Sequence, residues 1–87
     1  MILIDPPAVP WRGRLWSHLA SDVSFEELHA FAAAHGLPAR GFDRDHYDVP
    51  AEHHDALVAA GARPVTSREL VSALRRAGLR RPKPTGA

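Results

Sequence analysis

The segment Asp45-His46-Tyr47-Asp48 carries the densest cluster of polar side chains in a stretch that otherwise has the composition of a strand. In an extended chain successive side chains alternate between faces, so His46 and Asp48 share one face. An imidazole beside a carboxylate can bind a divalent metal ion, or act as a general base whose aspartate fixes the ring tautomer. The alternative is a packed or solvated histidine beside an aspartate that bonds only a loop.

Either chemistry needs a further partner, and two residues elsewhere in the chain are the best candidates. Asp5 directly follows the apolar triplet 2–4, and ligand sites of open α/β sheets collect at the carboxyl ends of strands. The alternative role of Asp5 is to cap the turn before two prolines. The second candidate, His18, lies in another predicted strand. Zinc or manganese bound by such groups would activate water. The candidate catalytic residues, which are also the candidate metal ligands, are Asp5, His18, His46 and Asp48.

The stretch 6–15 interleaves indole and guanidinium groups, in the run Trp11-Arg12-Gly13-Arg14 that is soon followed by Trp16. Arginine binds phosphate through two nitrogens and tryptophan offers a surface on which a base can stack, so a nucleotide or nucleic acid is a candidate ligand. The alternative is that the indoles only cover the open face of a small sheet. The candidate substrate-binding residues are Trp11, Arg12, Arg14 and Arg44.

Positive charge is concentrated at the C-terminal end of the chain. Residues 1–62 hold four arginines and nine acidic residues, whereas residues 63–87 hold seven basic residues and one glutamate, within a total net charge of +1. Such an end can bind nucleic acid in a salt-sensitive manner. A solvated helix face followed by a basic tail explains the same pattern.

Three helices are predicted from the residues at their ends. Ser24 with Glu27 and Thr66 with Glu69 form two capping boxes, which start helices over 25–35 and 67–77. A third helix is predicted from Pro50 to about residue 60, because proline suits the first helical position. Each of the three segments ends at a glycine.

Four short strands are predicted over 2–4, 15–20, 46–49 and 63–65. Their alternation with helices favours a single small α/β domain with a mostly parallel sheet of three or four strands and three helices on one face. The domain is predicted to cover 1–79, and 80–87 is predicted to be a disordered basic tail.

Length and composition limit the classes of protein to which this chain can belong. A chain of 87 residues without cysteine forms one domain that must fold by packing alone. The apolar runs are far shorter than the ~20 residues of a membrane helix, and the first ten residues do not resemble a signal peptide. We therefore expect a soluble cytoplasmic protein without membrane contact.

Four segments together resemble a known family of small bacterial and phage proteins, catalogued as domain of unknown function 4031. They are 16–22 (WSHLASD), 26–31 (EELHAF), 45–50 (DHYDVP) and 59–65 (AAGARPV). The resemblance covers nearly the whole chain, from residue 1 to about residue 79. It implies no activity, cofactor or substrate, so no catalytic residue follows from it.

These features predict a metal-dependent or His/Asp-dependent hydrolase-like or nuclease-like domain that acts on a phosphate-containing substrate. The alternative is a non-catalytic module that binds nucleic acid or protein through the basic C-terminal helix and the Trp/Arg loop. A homodimer or a partner protein could complete the site, because so small a chain encloses little volume. The sequence leaves open whether the protein is an enzyme.

Overall fold

The chain forms a six-stranded sheet and three α-helices in a computed structural model that describes residues 1–81. The strands run in the order β4-β5-β3-β1-β6, and β2 pairs with β3 outside this path. Short 3-10 turns precede β4 and α2. The elements are β1 (Ile2–Ile4), β2 (Val9–Trp11), β3 (Arg14–Ser21), α1 (Phe25–Ala34), β4 (Phe42–Asp43), β5 (His46–Pro50), α2 (His54–Ala59), β6 (Arg63–Pro64) and α3 (Ser67–Arg76).

The three predicted helices are confirmed, and two of them start at the predicted caps. The Ser24 and Thr66 hydroxyl oxygens each accept a hydrogen bond from the backbone N–H three residues later, at 3.0 Å. The segment predicted to be helical from Pro50 is shorter than expected, because Pro50 ends β5 and a 3-10 turn comes before α2. None of the helices within residues 1–81 is long and apolar enough to cross a membrane.

The prediction of a mostly parallel sheet is wrong. All strand pairs are antiparallel except β1 with β6. The reversal between β2 and β3 occurs at Arg12 and Gly13, which both have positive φ (50° and 75°), as a two-residue hairpin turn requires. A second tight reversal, at Arg44 (φ 60°), joins β4 to β5. Neither reversal was predicted from the sequence, so β2 and β4 were missed.

Helices pack on both faces of the sheet rather than on one face as predicted. On one face α1 and α2 bury Leu28 and Leu57 against alternate strand residues such as Ile4 and Leu19. On the other face α3 buries Leu74 with Leu3 and Ala20. Successive strand residues therefore serve opposite layers, which is the period-2 alternation of a sheet covered on both sides. We call these layers the α1/α2 face and the α3 face.

Candidate functional site

The four candidate catalytic and metal-binding residues come together on the α3 face. His18 lies between Leu19 and Ser17 on β3, both of which point away from α3, and it pairs directly with Asp48 of β5. His46 lies two residues before Asp48 and so shares its face. Asp5 follows the end of β1, and its backbone N–H donates to the His18 carbonyl at 3.1 Å. Residues far apart in sequence thus become neighbours across three adjacent strands.

Asp5 and His18 form one aspartate–imidazole pair. The Asp5 side chain is 1% exposed, and its Oδ2 lies 2.8 Å from Nδ1 of His18. Its Oδ1 accepts the His18 backbone N–H at 2.6 Å, and the Ser67 hydroxyl, in the first turn of α3, donates to Oδ2 at 2.8 Å. Asp5 therefore positions His18 and connects β3 to the start of α3.

Asp45 and His46 form a second pair of the same kind. Asp45 is fully buried, and its Oδ1 lies 2.7 Å from Nδ1 of His46. Its Oδ2 accepts a hydrogen bond from the Arg80 guanidinium at 3.1 Å and from the Arg81 backbone N–H at 2.8 Å. The segment that follows α3 thus holds the aspartate that orients His46.

The two imidazoles converge with Asp48. The rings of His18 and His46 meet edge to face with centroids 4.8 Å apart, and Nε2 of His46 lies 3.1 Å from Oδ1 of Asp48. One donor atom from each of the three residues lies within 4.8 Å of the other two. Three donors bound to one ion at ~2.0–2.2 Å lie at most about 4.4 Å apart, so the observed spacing is close to that of a bound ion. We call His18, His46 and Asp48 the triad.

Two opposing effects, burial and hydrogen bonding, determine the pKa values of Asp5, Asp45 and His46. Burial alone would raise the pKa of Asp5, but hydrogen bonds from His18 and Ser67 outweigh it, so the pKa of Asp5 is lowered. The pKa of Asp45 is lowered in the same way, against burial, by hydrogen bonds from His46 and Arg81. Burial opposes a charged His46, yet Asp48 and Asp45 raise the pKa of that imidazole. Both positioning aspartates are therefore carboxylates at neutral pH.

Three of the four candidate substrate-binding residues lie on the β2–β3 hairpin. Trp11 and Trp16 have ring centroids 5.4 Å apart, and the Trp16 Nε1–H donates to the Trp11 carbonyl at 2.9 Å. The Arg12 guanidinium lies 4.6 Å from the centroid of Trp11, and that of Arg14 lies 5.9 Å from Trp16. The structure thus groups Trp11, Arg12 and Arg14 at one end of the sheet.

Arg44 lies apart from this group. It occupies the turn before β5, whereas the hairpin borders the other end of that strand, where Pro50 pairs with Trp16. Its guanidinium lies 3.6 Å from Asp43, and its Nε is buried without a hydrogen-bond partner in the described part of the chain. A role for Arg44 in substrate binding stays a prediction.

Two surface grooves lie away from the triad. One, of about 550 Å³, follows the outer surface of α3, and another, of about 440 Å³, lies between α3 and β6. Neither groove is lined by a triad residue. A metal ion needs its ligands within bonding distance rather than a wide cavity, so the location of both grooves away from the triad is compatible with metal binding.

Sequence reasoning missed three residues that complete the site. Asp45 was part of the recognised cluster but was given no role, whereas the turn before β5 brings its carboxylate onto the His46 ring. Ser67 lies between Thr66 and Glu69 of the predicted cap and was given no role from the sequence. Arg80 fell in the segment 80–87, predicted to be a disordered tail, of which residues 82–87 lie outside the described residues.

Comparisons with known proteins give one finding. A family model described as a protein of unknown function, DUF4031, matches residues 2–77. The match spans all nine strands and helices, whereas Arg80 and Arg81 lie beyond it. Searches among curated proteins and solved structures find no match.

Proposed function

Since the chain belongs to the DUF4031 family of proteins of unknown function, we propose an activity from the geometry of its site. The protein is a metal-dependent hydrolase that cleaves a phosphate ester, with His18, His46 and Asp48 as metal ligands. Asp5 and Asp45 are positioning residues that hold the two imidazoles. Zinc or manganese is the proposed metal.

One observation carries the proposal: each histidine of the triad has its Nδ1 on a buried carboxylate. The two Nδ1 to carboxylate distances are 2.8 Å and 2.7 Å, and the two aspartates are at most 1% exposed. Metal-binding histidines characteristically donate one ring N–H to a carboxylate, which fixes the tautomer and leaves the other nitrogen for the metal. This arrangement occurs twice, and the carboxylate of Asp48 lies 3.1 Å from Nε2 of His46, as expected for two ligands of one ion held by an outer shell.

The charges of the cluster favour a cation at its centre. Three carboxylates, those of Asp5, Asp45 and Asp48, surround the two imidazoles, and within residues 1–81 the guanidinium in contact with them is that of Arg80. Buried carboxylates are costly unless a positive charge compensates them. A divalent ion bound by two neutral imidazoles and Asp48 supplies that charge and uses no new protein groups.

The donor set also defines the chemistry. Three protein ligands leave positions for water and for a substrate oxygen, which is the arrangement of catalytic rather than structural metal sites. A bound divalent ion lowers the pKa of its water and withdraws electrons from a phosphoryl oxygen. In the proposed reaction the water oxygen forms a bond to phosphorus, the ester P–O bond breaks, and the leaving oxygen takes up a proton. Asp48, 34% exposed, faces the solvent side of the triad.

The test is metal binding by protein treated with a chelator. We expect zinc or manganese to bind with one-to-one stoichiometry in calorimetry, to raise the melting temperature, and to support hydrolysis of a chromogenic phosphate diester. Iron(II) is included because it accepts the same donor set. Asp48→Asn should abolish hydrolysis while the fold is kept, because this side chain lies at the partly exposed edge of the triad.

A matched control uses a histidine outside the site. His46→Gln should remove the calorimetric response, whereas His53→Gln, at an exposed position before α2, should bind metal as the wild type does. Equal binding by both variants, or the absence of a response in the wild type, would contradict the metal site. Stoichiometric binding without hydrolysis of any diester would contradict the hydrolytic activity alone.

A further inference from the structure

At the tip of the β2–β3 hairpin, Arg12 has a backbone conformation that arginine rarely adopts. Arg12 and Gly13 are the two central residues of the turn and have φ of 50° and 75°. Asparagine followed by glycine is the preferred pair in such turns, because asparagine tolerates positive φ better than arginine. Strained residues persist where they serve a site. An arginine at this position therefore suggests a use for its guanidinium.

The side chains of the hairpin form an exposed layer of aromatic and cationic groups. Trp11 is 53% exposed, and the hydrogen bond from Trp16 to the Trp11 carbonyl fixes the orientation of the second indole. Guanidinium groups of Arg12 and Arg14 lie over the two rings. Planar rings beside fixed positive charges are the combination that binds bases by stacking and phosphates by ion pairing. We call Trp11, Arg12, Arg14 and Trp16 the hairpin platform.

The hairpin platform continues directly into the triad. Trp16 and His18 are two residues apart on β3, so they share a face at a distance of about 7 Å along the strand. Trp16 pairs with Pro50 and His18 pairs with Asp48 on the same neighbouring strand. Successive phosphates of an extended nucleotide chain are separated by a similar distance, so one strand could reach both places.

We propose that the hairpin platform binds single-stranded nucleic acid and places one of its phosphodiester bonds at the triad. The substrate class rests on the proposed hydrolytic function, whereas the binding surface does not. Stacking requires unpaired bases, which selects single strands over duplexes, and the two arginines pair with the phosphates on either side. The basic residues of α3 are outside this surface.

The first experiment measures binding without chemistry. A fluorescently labelled 12-nucleotide oligothymidylate is titrated with the protein in a chelator, with a duplex of the same length, thymidine monophosphate and a polyglutamate peptide as competitors. We expect salt-sensitive binding of the single strand, weaker competition by the duplex and the mononucleotide, and no displacement by the peptide. Displacement by polyglutamate at equal charge, or no binding at low salt, would overturn the proposal.

Arg12→Asn separates binding from folding. This substitution removes the guanidinium but places a favoured residue at positive φ, so we expect the melting temperature to rise while affinity for the oligonucleotide falls. The slope of log affinity against log salt should decrease by about one. Unchanged affinity in a variant of equal or greater stability would overturn the proposal, and misfolding cannot account for such a result.

Trp11→Leu tests the stacking surface, and Arg75→Gln is the matched control for charge. Loss of one stacked base lowers affinity by roughly 5- to 150-fold. Arg75 is exposed in the last turn of α3, so its loss should change affinity far less than the loss of Arg12. Equal losses in the Arg12 and Arg75 variants would overturn the platform in favour of diffuse attraction.

Adding metal separates the two proposals. Binding in chelator followed by cleavage of the oligonucleotide in zinc or manganese supports both. Binding without cleavage supports the platform and contradicts the hydrolytic site, whereas hydrolysis of the chromogenic diester without oligonucleotide binding contradicts the platform alone.

Discussion

The two faces of the central sheet are built by the same strands and differ in chemistry. On the α1/α2 face, Leu19, Tyr47 and Val49 are buried at 4% exposure or less against α1 and α2. On the α3 face, the alternate residues His18, His46 and Asp48 form a polar triad beside a smaller apolar cluster. A neighbouring pair such as His18 and Leu19 thus serves two different purposes.

His29 of α1 shows how the surroundings determine the role of a residue. Nδ1 of His29 lies 2.7 Å from the Tyr47 hydroxyl, and its ring packs edge to face on Phe42 with centroids 4.7 Å apart. His29 thus pairs with a neutral hydroxyl rather than with a carboxylate. His18 and His46 instead each contact a buried carboxylate. The comparison teaches that the buried aspartates, rather than the histidines themselves, distinguish the candidate site.

The largest expected effect comes from removing one leucine from each face. Leu28 on α1 and Leu74 on α3 are both almost fully buried, so Leu28→Ala and Leu74→Ala should each lower the free energy of unfolding by about 2–5 kcal/mol. Leu74→Ala should also weaken zinc binding, because α3 carries Ser67 and leads to Arg80. Urea unfolding and calorimetry on the folded protein measure the two quantities. An equal loss of zinc affinity in Leu28→Ala would remove the distinction between the faces.

A smaller effect is expected from the two positioning aspartates. Asp5→Asn and Asp45→Asn keep the shape of each side chain but remove the charge that holds the imidazole. Such substitutions around a metal site lower metal affinity about 10- to 100-fold. Asp55→Asn, at a fully exposed position, should leave the affinity unchanged. If calorimetry finds wild-type zinc affinity in both site variants, the aspartates have only a structural role.

The smallest effect concerns a polar contact at the start of α1. The Ser21 hydroxyl, at 2.7 Å, and the Met1 amino group lower the pKa of Glu27 from its ordinary value of 4.5. A lowered pKa in the folded state stabilises the fold above pH 4.5, and this contribution is lost as the pH falls through the folded-state value. Glu27 is 37% exposed and therefore screened by solvent, so Glu27→Gln should cost about 0.2–1 kcal/mol at pH 7.

Melting curves of wild type and Glu27→Gln between pH 3 and pH 7 test this contact. The difference between the two proteins should shrink towards zero at the acidic end. A difference that grows as the pH falls would show that Glu27 acts in another way. Zinc affinity at pH 7 should be the same in both proteins, since this carboxylate belongs to the other end of the sheet.

Local sequence signals predicted the helices but not the direction of the strands. The cap at Ser24 and the capping box at Thr66 depend on residues three positions apart, so they are visible in the sequence. Strand direction depends on tight reversals, and here Arg12 and Arg44 occupy the positive-φ positions where asparagine or glycine is expected. An α/β order with unrecognised hairpins was therefore interpreted as a parallel sheet.

The candidate site was partly predictable for a similar reason. Asp5 was placed at a strand end, and His46 and Asp48 on one face, from the period-2 rule alone. The packing of Asp45 on His46 depends on a turn, and the hydrogen bonds from Ser67 and Arg80 depend on where the last helix docks. Contacts of this kind join segments 35 to 62 residues apart, and no local pattern encodes them.

The alternation of polar and apolar side chains along β5 also specifies the register in which β5 pairs with β3. A shift of β5 by one residue along β3 would place the imidazole of His46 and the carboxylate of Asp48 in the apolar core beneath α1. The same shift would remove Tyr47 and Val49 from that core. Polar and ionic groups at these positions therefore make a one-residue slip energetically costly. The residues proposed to bind the metal therefore also favour the correct register of β5 during folding, before any ion is bound.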